Sequence, residues 1–231
     1  MKRLGLLGGM SWESSVEYER IINRAVRDAL GGVASADLVI RSFNFADIEQ
    51  LQARDAWDDA GGMLAAAAAD LEHAGAEAIV LCTNTMHEVA PAIERAISVP
   101  LLHIADATAA AVRARGVESV ALLGTRFTME RESYVGRLRD QHGLTVLVPD
   151  EPDRTTVHDI IYGELVRGIV RDESRERYRA IIDRLIERGA TGVIAGCTEI
   201  ELLIGADDVA APYFPTARLH AEAAARFALD D

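Results

Sequence analysis

Ala78-Ile79-Val80-Leu81-Cys82-Thr83-Asn84-Thr85 and Gly192-Val193-Ile194-Ala195-Gly196-Cys197-Thr198-Glu199 are nearly one phrase written twice, with Gly196 as a one-residue insertion. Each is a short apolar run of the kind buried in a parallel sheet, and each stops at a cysteine followed by threonine. Two further anchors repeat alongside them. Leu6-Leu7-Gly8 matches Leu122-Leu123-Gly124, and Val99-Pro100-Leu101-Leu102 matches Ala211-Pro212-Tyr213-Phe214. The order and near-constant spacing of the three matches predict one duplicated α/β topology.

Working outward, the chain alternates strand and helix patterns. Leu4 to Gly8 reads as a strand leading into a helix through Tyr18, Ile22 and Val26. Asp37 to Phe43 and Ala78 to Leu81 read as strands flanking an alanine-rich helix from Trp57 to His73. The second half predicts strands at Val117 to Gly124, Leu144 to Val148 and Gly192 to Ala195. Its helices are expected over Met129 to Gln141, Val157 to Val170 and Ser174 to Arg188. Helices from Asp106 to Arg115 and from Arg218 to Leu229 follow the two Pro-containing runs. The expected fold is therefore α/β, with two pseudo-symmetric lobes. Each is a mostly parallel sheet flanked by helices, with the active site in the cleft between them. The lobes are expected at 1–100, completed by a C-terminal helix over 216–231, and at 101–215. Ligands of such sheets bind beyond the carboxyl ends of the strands, where both cysteines fall.

With 24 basic and 37 acidic residues the net charge is −13, which disfavours nucleic acid as a partner. No run approaches the ~18 apolar residues of a membrane span, and the glycine-broken start lacks a signal peptide's apolar core. A cytoplasmic protein with reduced thiols is expected. Lys2 is the sole lysine, and its position argues against pyridoxal phosphate, whose chemistry needs a buried Schiff-base lysine. Gly5-Leu6-Leu7-Gly8-Gly9 lacks the spacing of a nucleotide loop, and the six histidines lack metal-ligand spacing. Neither a cofactor nor a metal is expected.

Two thiols at equivalent strand ends of facing lobes suit two-base proton transfer. One thiolate removes a proton from carbon and the other thiol returns one to the opposite face, inverting the centre. An ordinary thiol is only about 3% ionised at pH 7, so bringing its pKa near 7 takes roughly 2 kcal/mol. Backbone N–H groups and helix entries at Thr83-Asn84-Thr85 and Thr198-Glu199 are the expected source.

Gly8-Gly9-Met10-Ser11-Trp12-Glu13-Ser14, Cys82-Thr83-Asn84-Thr85-Met86-His87 and Gly196-Cys197-Thr198-Glu199-Ile200 resemble the signatures of the cofactor-independent aspartate/glutamate racemase superfamily, in its aspartate racemase-like branch. The resemblance spans nearly the whole chain. It implies Cys82 and Cys197 as the acid/base pair and Met10, Ser11, Asn84, Thr85, Thr125 and Thr198 as substrate-binding groups. Gln52 is a further implied contact, and Thr83 and Glu199 are counted with the substrate-binding set. It also implies a small-molecule amino-acid substrate and a homodimer. Two departures leave the substrate side chain open among aspartate, glutamate and a broader set. The lysine with which some aspartate-specific relatives grip the side-chain carboxylate is missing, Gly163 standing near its expected place, and Pro215 replaces a usual Asp. Arg41 and Arg126 are the candidate substitutes. Alternatives within the superfamily are a hydantoin racemase or a maleate isomerase. A catalytically silent small-molecule-binding relative is a third.

Overall fold

The computed structural model describes residues 1–230. They form two compact units, Met1–Ile104 together with the segment from His220 on, and Ala105–Leu219.

In the first unit, strands β1 (Leu4–Gly8), β2 (Leu38–Ser42), β3 (Ala78–Leu81) and β4 (Leu101–Leu102) make one parallel sheet in the order β2-β1-β3-β4. All residues of the central strands β1 and β3 are buried, whereas the edge strand β2 becomes exposed along its length. That is why the first and third apolar runs lack alternation and the second carries Arg41 and Ser42. The crossovers are helical: α1 (Trp12–Leu30), α2 (Phe45–Ala53), α3 (Trp57–His73) and α4 (Ala90–Ala96). Leu64, Ala68 and Leu71 of α3 pack with Leu7, Ile79 and Leu81 of the sheet, forming much of the core. Alanine at this density lets the helix approach the sheet closely.

The second unit repeats the plan. Helix α5 (Ile104–Ala114) leads to β5 (Ser119–Gly124), β6 (Thr145–Leu147), β7 (Gly192–Gly196) and β8 (Tyr213–Pro215), a parallel sheet ordered β6-β5-β7-β8. Helices α6 (Arg126–Glu130), α7 (Asp153–Gly163), α8 (Asp172–Glu187) and α9 (Ile200–Leu203) accompany it. The last helix, α10 (Thr216–Leu229), begins in the second unit and belongs to the first from His220 on.

Two expected helices are shorter than the pattern suggested. The stretch from Met129 to Gln141 breaks at Arg131, which adopts extended backbone, and resumes only as a π-helical turn at Arg137–Gln141. The stretch from Val157 to Val170 closes α7 at Gly163, then makes a 3-10 turn at Leu165–Arg167 that ends on left-handed Gly168. Helix α2 was not read from the sequence. Its capping asparagine, Asn44, accepts the Ala46 N–H.

Candidate active site

In each sheet the connections leave the first strand in one direction and later cross to its other side. The carboxyl ends of β1 and β3, and of β5 and β7, are therefore topological switch points, where α/β sheets bind ligands. The sequence-selected residues cluster at these ends within each unit.

At the first, Gly8 and Gly9 end β1. Gly9 has φ +85°, and a Cβ there would stand 2.2 Å from the Phe43 carbonyl oxygen and 2.4 Å from its nitrogen. Only glycine fits where the chain brushes past the end of β2. Ser15 pins the turn from inside α1, accepting the Gly9 N–H (2.7 Å) and donating to the Ser11 carbonyl (3.1 Å). Ser11 occupies the N-cap position of α1, buried, with its hydroxyl 3.2 Å from that of Ser14. The Met10 side chain belongs to the core, which leaves its backbone as the group available to a ligand.

Cys82 is the first residue past β3. Leu81 pairs with Leu7, and the Cys82 N–H extends the ladder by donating to the Leu7 carbonyl at 2.9 Å. Its thiol is fully buried and makes one weak contact, to the Val80 carbonyl at 3.6 Å. Burial alone pushes this thiol far up from its ordinary range. Thr83 and Asn84 are buried beside it, and Thr85 opens a 3-10 turn (Thr85–Val89). Gln52, buried on α2, donates its side-chain amide to the Met86 sulfur at 3.0 Å, which places it against the same turn.

At the second end, Gly124 pairs with Gly196. A Cβ on Gly124 would sit 2.9 Å from the Gly196 carbonyl oxygen, and one on Gly196 3.0 Å from that of Leu123. The inserted Gly196 thus lets β5 and β7 stay close up to the last rung, and Cys197 is the first residue released. Thr125 caps α6 by accepting the Thr128 N–H. The Cys197 thiol donates to the Glu199 carboxylate (Sγ to Oε2, 2.9 Å), and the Thr198 hydroxyl donates to the same oxygen at 2.7 Å. Burial, then the Glu199 charge, raise this thiol well above its ordinary range. The N–H groups of Glu199 and Ile200 pull the other way and lose.

Burial therefore works against the expected acidification of both thiols. The backbone donors foreseen at Thr198-Glu199 are present, but desolvation outweighs them. Both sulfurs rest protonated at neutral pH.

Neither candidate arginine is an idle cation. Arg41 lies over the Phe43 ring, and Arg126 donates to Thr155 and is paired with Glu130 and Glu151. Three further residues hold the site's backbone without having been selected from sequence. They are Ser15, His87 and His158, the last of which accepts the Arg126 N–H next to Thr125 at 3.1 Å. Only His87 carried a signal, its place five residues after Cys82. No group of three or more metal-ligating side chains has metal-site geometry among the described residues, and no helix is long and apolar enough to cross a membrane.

A candidate Asp/Glu racemase of Yersinia pestis has a similar structure, at 52% identity over 100% of both chains, with a TM-score of 0.95. An aspartate racemase homologue from Pyrococcus horikoshii is 34% identical, again over 100% of both chains, with a TM-score of 0.86. A glutamate racemase of Francisella tularensis subsp. tularensis, solved with D-glutamate, shares the fold at 14% identity, covering 98% of this chain and 80% of that one, with a TM-score of 0.65. The model of the Asp/Glu/hydantoin racemase family matches residues 7–224, and the chain belongs to that family.

Proposed function

We propose that the protein is an amino-acid racemase, acting on aspartate, glutamate or a broader set, in which Cys82 and Cys197 are the two acid/base groups. The observation that carries this reading is the matched placement of the two thiols. Each is the first residue beyond the third strand of its sheet, beside a switch point. Family membership supports the reaction class.

The two ends differ in how a thiolate arises. Cys197 has an acceptor in contact, so its proton moves from Sγ to the Glu199 carboxylate, leaving a thiolate beside a neutral acid. Cys82 has only a backbone carbonyl and rests as the thiol that donates. The Cys197 thiolate takes the Cα proton, the carbanion takes a proton from Cys82, and the configuration is inverted with Cys82 left as thiolate. The opposite enantiomer runs the sequence in reverse. A zwitterionic amino acid brings an ammonium group to offset the thiolate charge. Glu199, read from the sequence as a substrate contact, is assigned here to the proton of Cys197. Ser11, Thr83, Asn84, Thr85, Thr125 and Thr198, with the Met10 backbone and Gln52, form the polar wall proposed to orient the substrate and stabilise developing charge.

No pyridoxal cofactor is part of the scheme. The Lys2 ammonium donates to the Asp230 carbonyl at 2.6 Å and lies over the Phe227 ring, away from the strand ends. The homodimer implied by the family resemblance and the cytoplasmic location expected from the sequence belong to the same proposal.

The test is incubation of the purified protein with single enantiomers in D2O, following Cα exchange by NMR and inversion by chiral chromatography. Inversion abolished in both Cys82→Ser and Cys197→Ser supports the scheme. Unimpaired racemisation in either variant overturns it. Turnover of a 5-substituted hydantoin or of maleate, with no amino acid exchanged, moves the assignment to those reactions.

A further inference from the structure

Buried histidines form a cluster in the first unit that the two-thiol scheme does not use. His87 and His220 are almost wholly buried and His103 nearly so. The ring of His87 lies 4.4 Å from that of His103 and 5.8 Å from that of His220, centroid to centroid. The cluster has no metal-site geometry. Its hydrogen bonds give it a different use.

The His87 Nε2 lies 3.2 Å from the Ile104 nitrogen, a backbone group that can only donate, so Nε2 is an acceptor. Nδ1 lies 2.7 Å from the Thr83 carbonyl oxygen, which can only accept, so Nδ1 carries the hydrogen. The imidazole is thereby fixed as one neutral tautomer. Thr83 is the residue after Cys82, where the chain turns out of the ladder and its carbonyl has no neighbouring strand to pair with. Ile104 opens α5, so its N–H is among the orphan donors of a helix start. One neutral imidazole satisfies both.

The same segment is held by a second imidazole. His220 lies 2.7 Å by Nε2 from the Leu102 carbonyl and 2.8 Å by Nδ1 from the Tyr18 hydroxyl, which fixes it with Nε2–H donating and Nδ1 accepting. Leu102 and Ile104, flanking His103, are thus gripped by two imidazoles, and Tyr18 ties the arrangement to α1. The turn carrying Cys82 is anchored through His87 to a segment that is itself anchored.

We propose that His87 is a positioning residue for Cys82. It touches no reacting atom, but by holding the Thr83 carbonyl it fixes where the Cys82 sulfur is presented. The proposal rests on the racemase reading for its kinetic consequence only. A misplacement of about 1 Å at a catalytic group costs on the order of 10²-fold in rate.

The experiment compares wild type, His87→Phe and His87→Asn. Phenylalanine keeps a ring in the core but removes the imidazole's bonds to both backbone groups, whereas the asparagine amide nitrogen falls near Nδ1 and retains the bond to Thr83. Three quantities are read: kcat and KM for Cα exchange, iodoacetamide alkylation of each cysteine by peptide mapping, and the imidazole 15N shifts of wild type. We expect His87→Phe to lower kcat by about 10²-fold with KM within about threefold. Alkylation of Cys82 should rise at least several-fold and that of Cys197 stay unchanged, with His87→Asn recovering most of both effects. The wild-type shifts should report an Nδ1–H tautomer. Unchanged kcat and Cys82 alkylation in His87→Phe, no recovery in His87→Asn, or an Nε2–H or doubly protonated ring at pH 7 would each overturn it. If wild type exchanges no amino acid, the racemase reading fails by itself, and the alkylation and NMR arms still decide the role of His87. The NMR arm also decides it should His87→Phe not fold.

Discussion

Replacing Glu199 by glutamine separates two effects that its carboxylate exerts on Cys197. The Sγ and Oε2 atoms are 2.9 Å apart in a site where Glu199 and Cys197 are both buried. A unit charge about 4 Å from another costs about 4 kcal/mol at the effective dielectric typical of protein sites, so the Glu199 carboxylate strongly disfavours a thiolate beside it. Electrostatically, Glu199→Gln relieves the thiolate. Each 1.4 kcal/mol recovered multiplies its population about tenfold, so iodoacetamide should alkylate Cys197 on the order of tenfold faster or more at pH 7. Catalytically, the same change removes the acceptor that takes the thiol proton and returns it, a contribution worth about 10²- to 10⁴-fold. The expected signature is a more reactive Cys197 in an enzyme whose kcat has collapsed, with Cys82 alkylation unchanged. Peptide-mapped alkylation beside the D2O exchange assay reads both. Activity within threefold of wild type refutes the assignment of Glu199 as proton acceptor. Slower or unaltered alkylation of Cys197 refutes the electrostatic reasoning.

Three further outcomes follow from the geometry. Gly9→Ala puts a side chain on a left-handed residue and into the Phe43 backbone, whose N–H bonds Gly8 at 3.0 Å. The conformational penalty of about 1–2 kcal/mol plus about 1 for that bond gives about 2–3 kcal/mol, or a Tm lower by roughly 4–12 °C, and a change under 1 kcal/mol contradicts the turn's stated constraint. His158 is held below the ordinary histidine range by burial and then Arg126, so the native state binds its proton less readily than the unfolded chain. Stability should fall as pH drops below about 6.5 toward the folded value, and in His158→Asn the urea midpoint should lose that part of its pH dependence. For Asp106, burial pushes the carboxyl up, but bonds from Arg137 (2.7 Å to each oxygen) and His142 (2.8 Å) win and hold it low. Its contribution is present above about pH 4 and lost as pH falls through the folded value, and Asp106→Asn should cost about 1 kcal/mol at pH 7 in urea unfolding, the carboxylate being partly solvated.

The duplicated sheet was legible because buried parallel strands carry continuous apolar runs, and both copies kept the same order of runs. The switch-point residues were legible for the same reason, each ending such a run. The breaks at Arg131 and after Gly163 were not, since Met129 to Gln141 and Val157 to Val170 keep helix-compatible composition across them. Helix α2 was hidden because only two of its nine residues, Ile48 and Gln52, are buried, too few to print a periodicity. The rise in thiol pKa was invisible because it depends on how completely each sulfur is enclosed. The roles of His87 and His158 escaped because each accepts from a backbone N–H 17 or 32 residues away, which no local pattern marks.

Duplication made two strand ends alike in topology, and subsequent divergence made them unlike in chemistry. Asn84 stands two residues after Cys82 where Glu199 stands two residues after Cys197, so among the described residues it is the Cys197 thiol that has a carboxylate to receive its proton. If both sulfurs serve one reaction, this asymmetry is constrained by thermodynamics. Enantiomers are equal in free energy in water, so kcat/KM for L to D must equal kcat/KM for D to L at every pH. The unequal thiols can therefore express themselves only in kcat and KM separately, both altered by the same factor between directions. The enantiomer whose Cα proton faces Cys197 meets the thiol whose proton has an acceptor in contact, the Glu199 carboxylate. The other requires the form with its negative charge on Cys82, which burial disfavours and no carboxylate assists. Asn84→Asp places an acceptor at the poorer end. Its predicted effect is to bring the two kcat values together while the two kcat/KM values stay equal, and a variant whose kcat values diverge further would show that the neighbouring carboxylate does not set the protonation of these thiols.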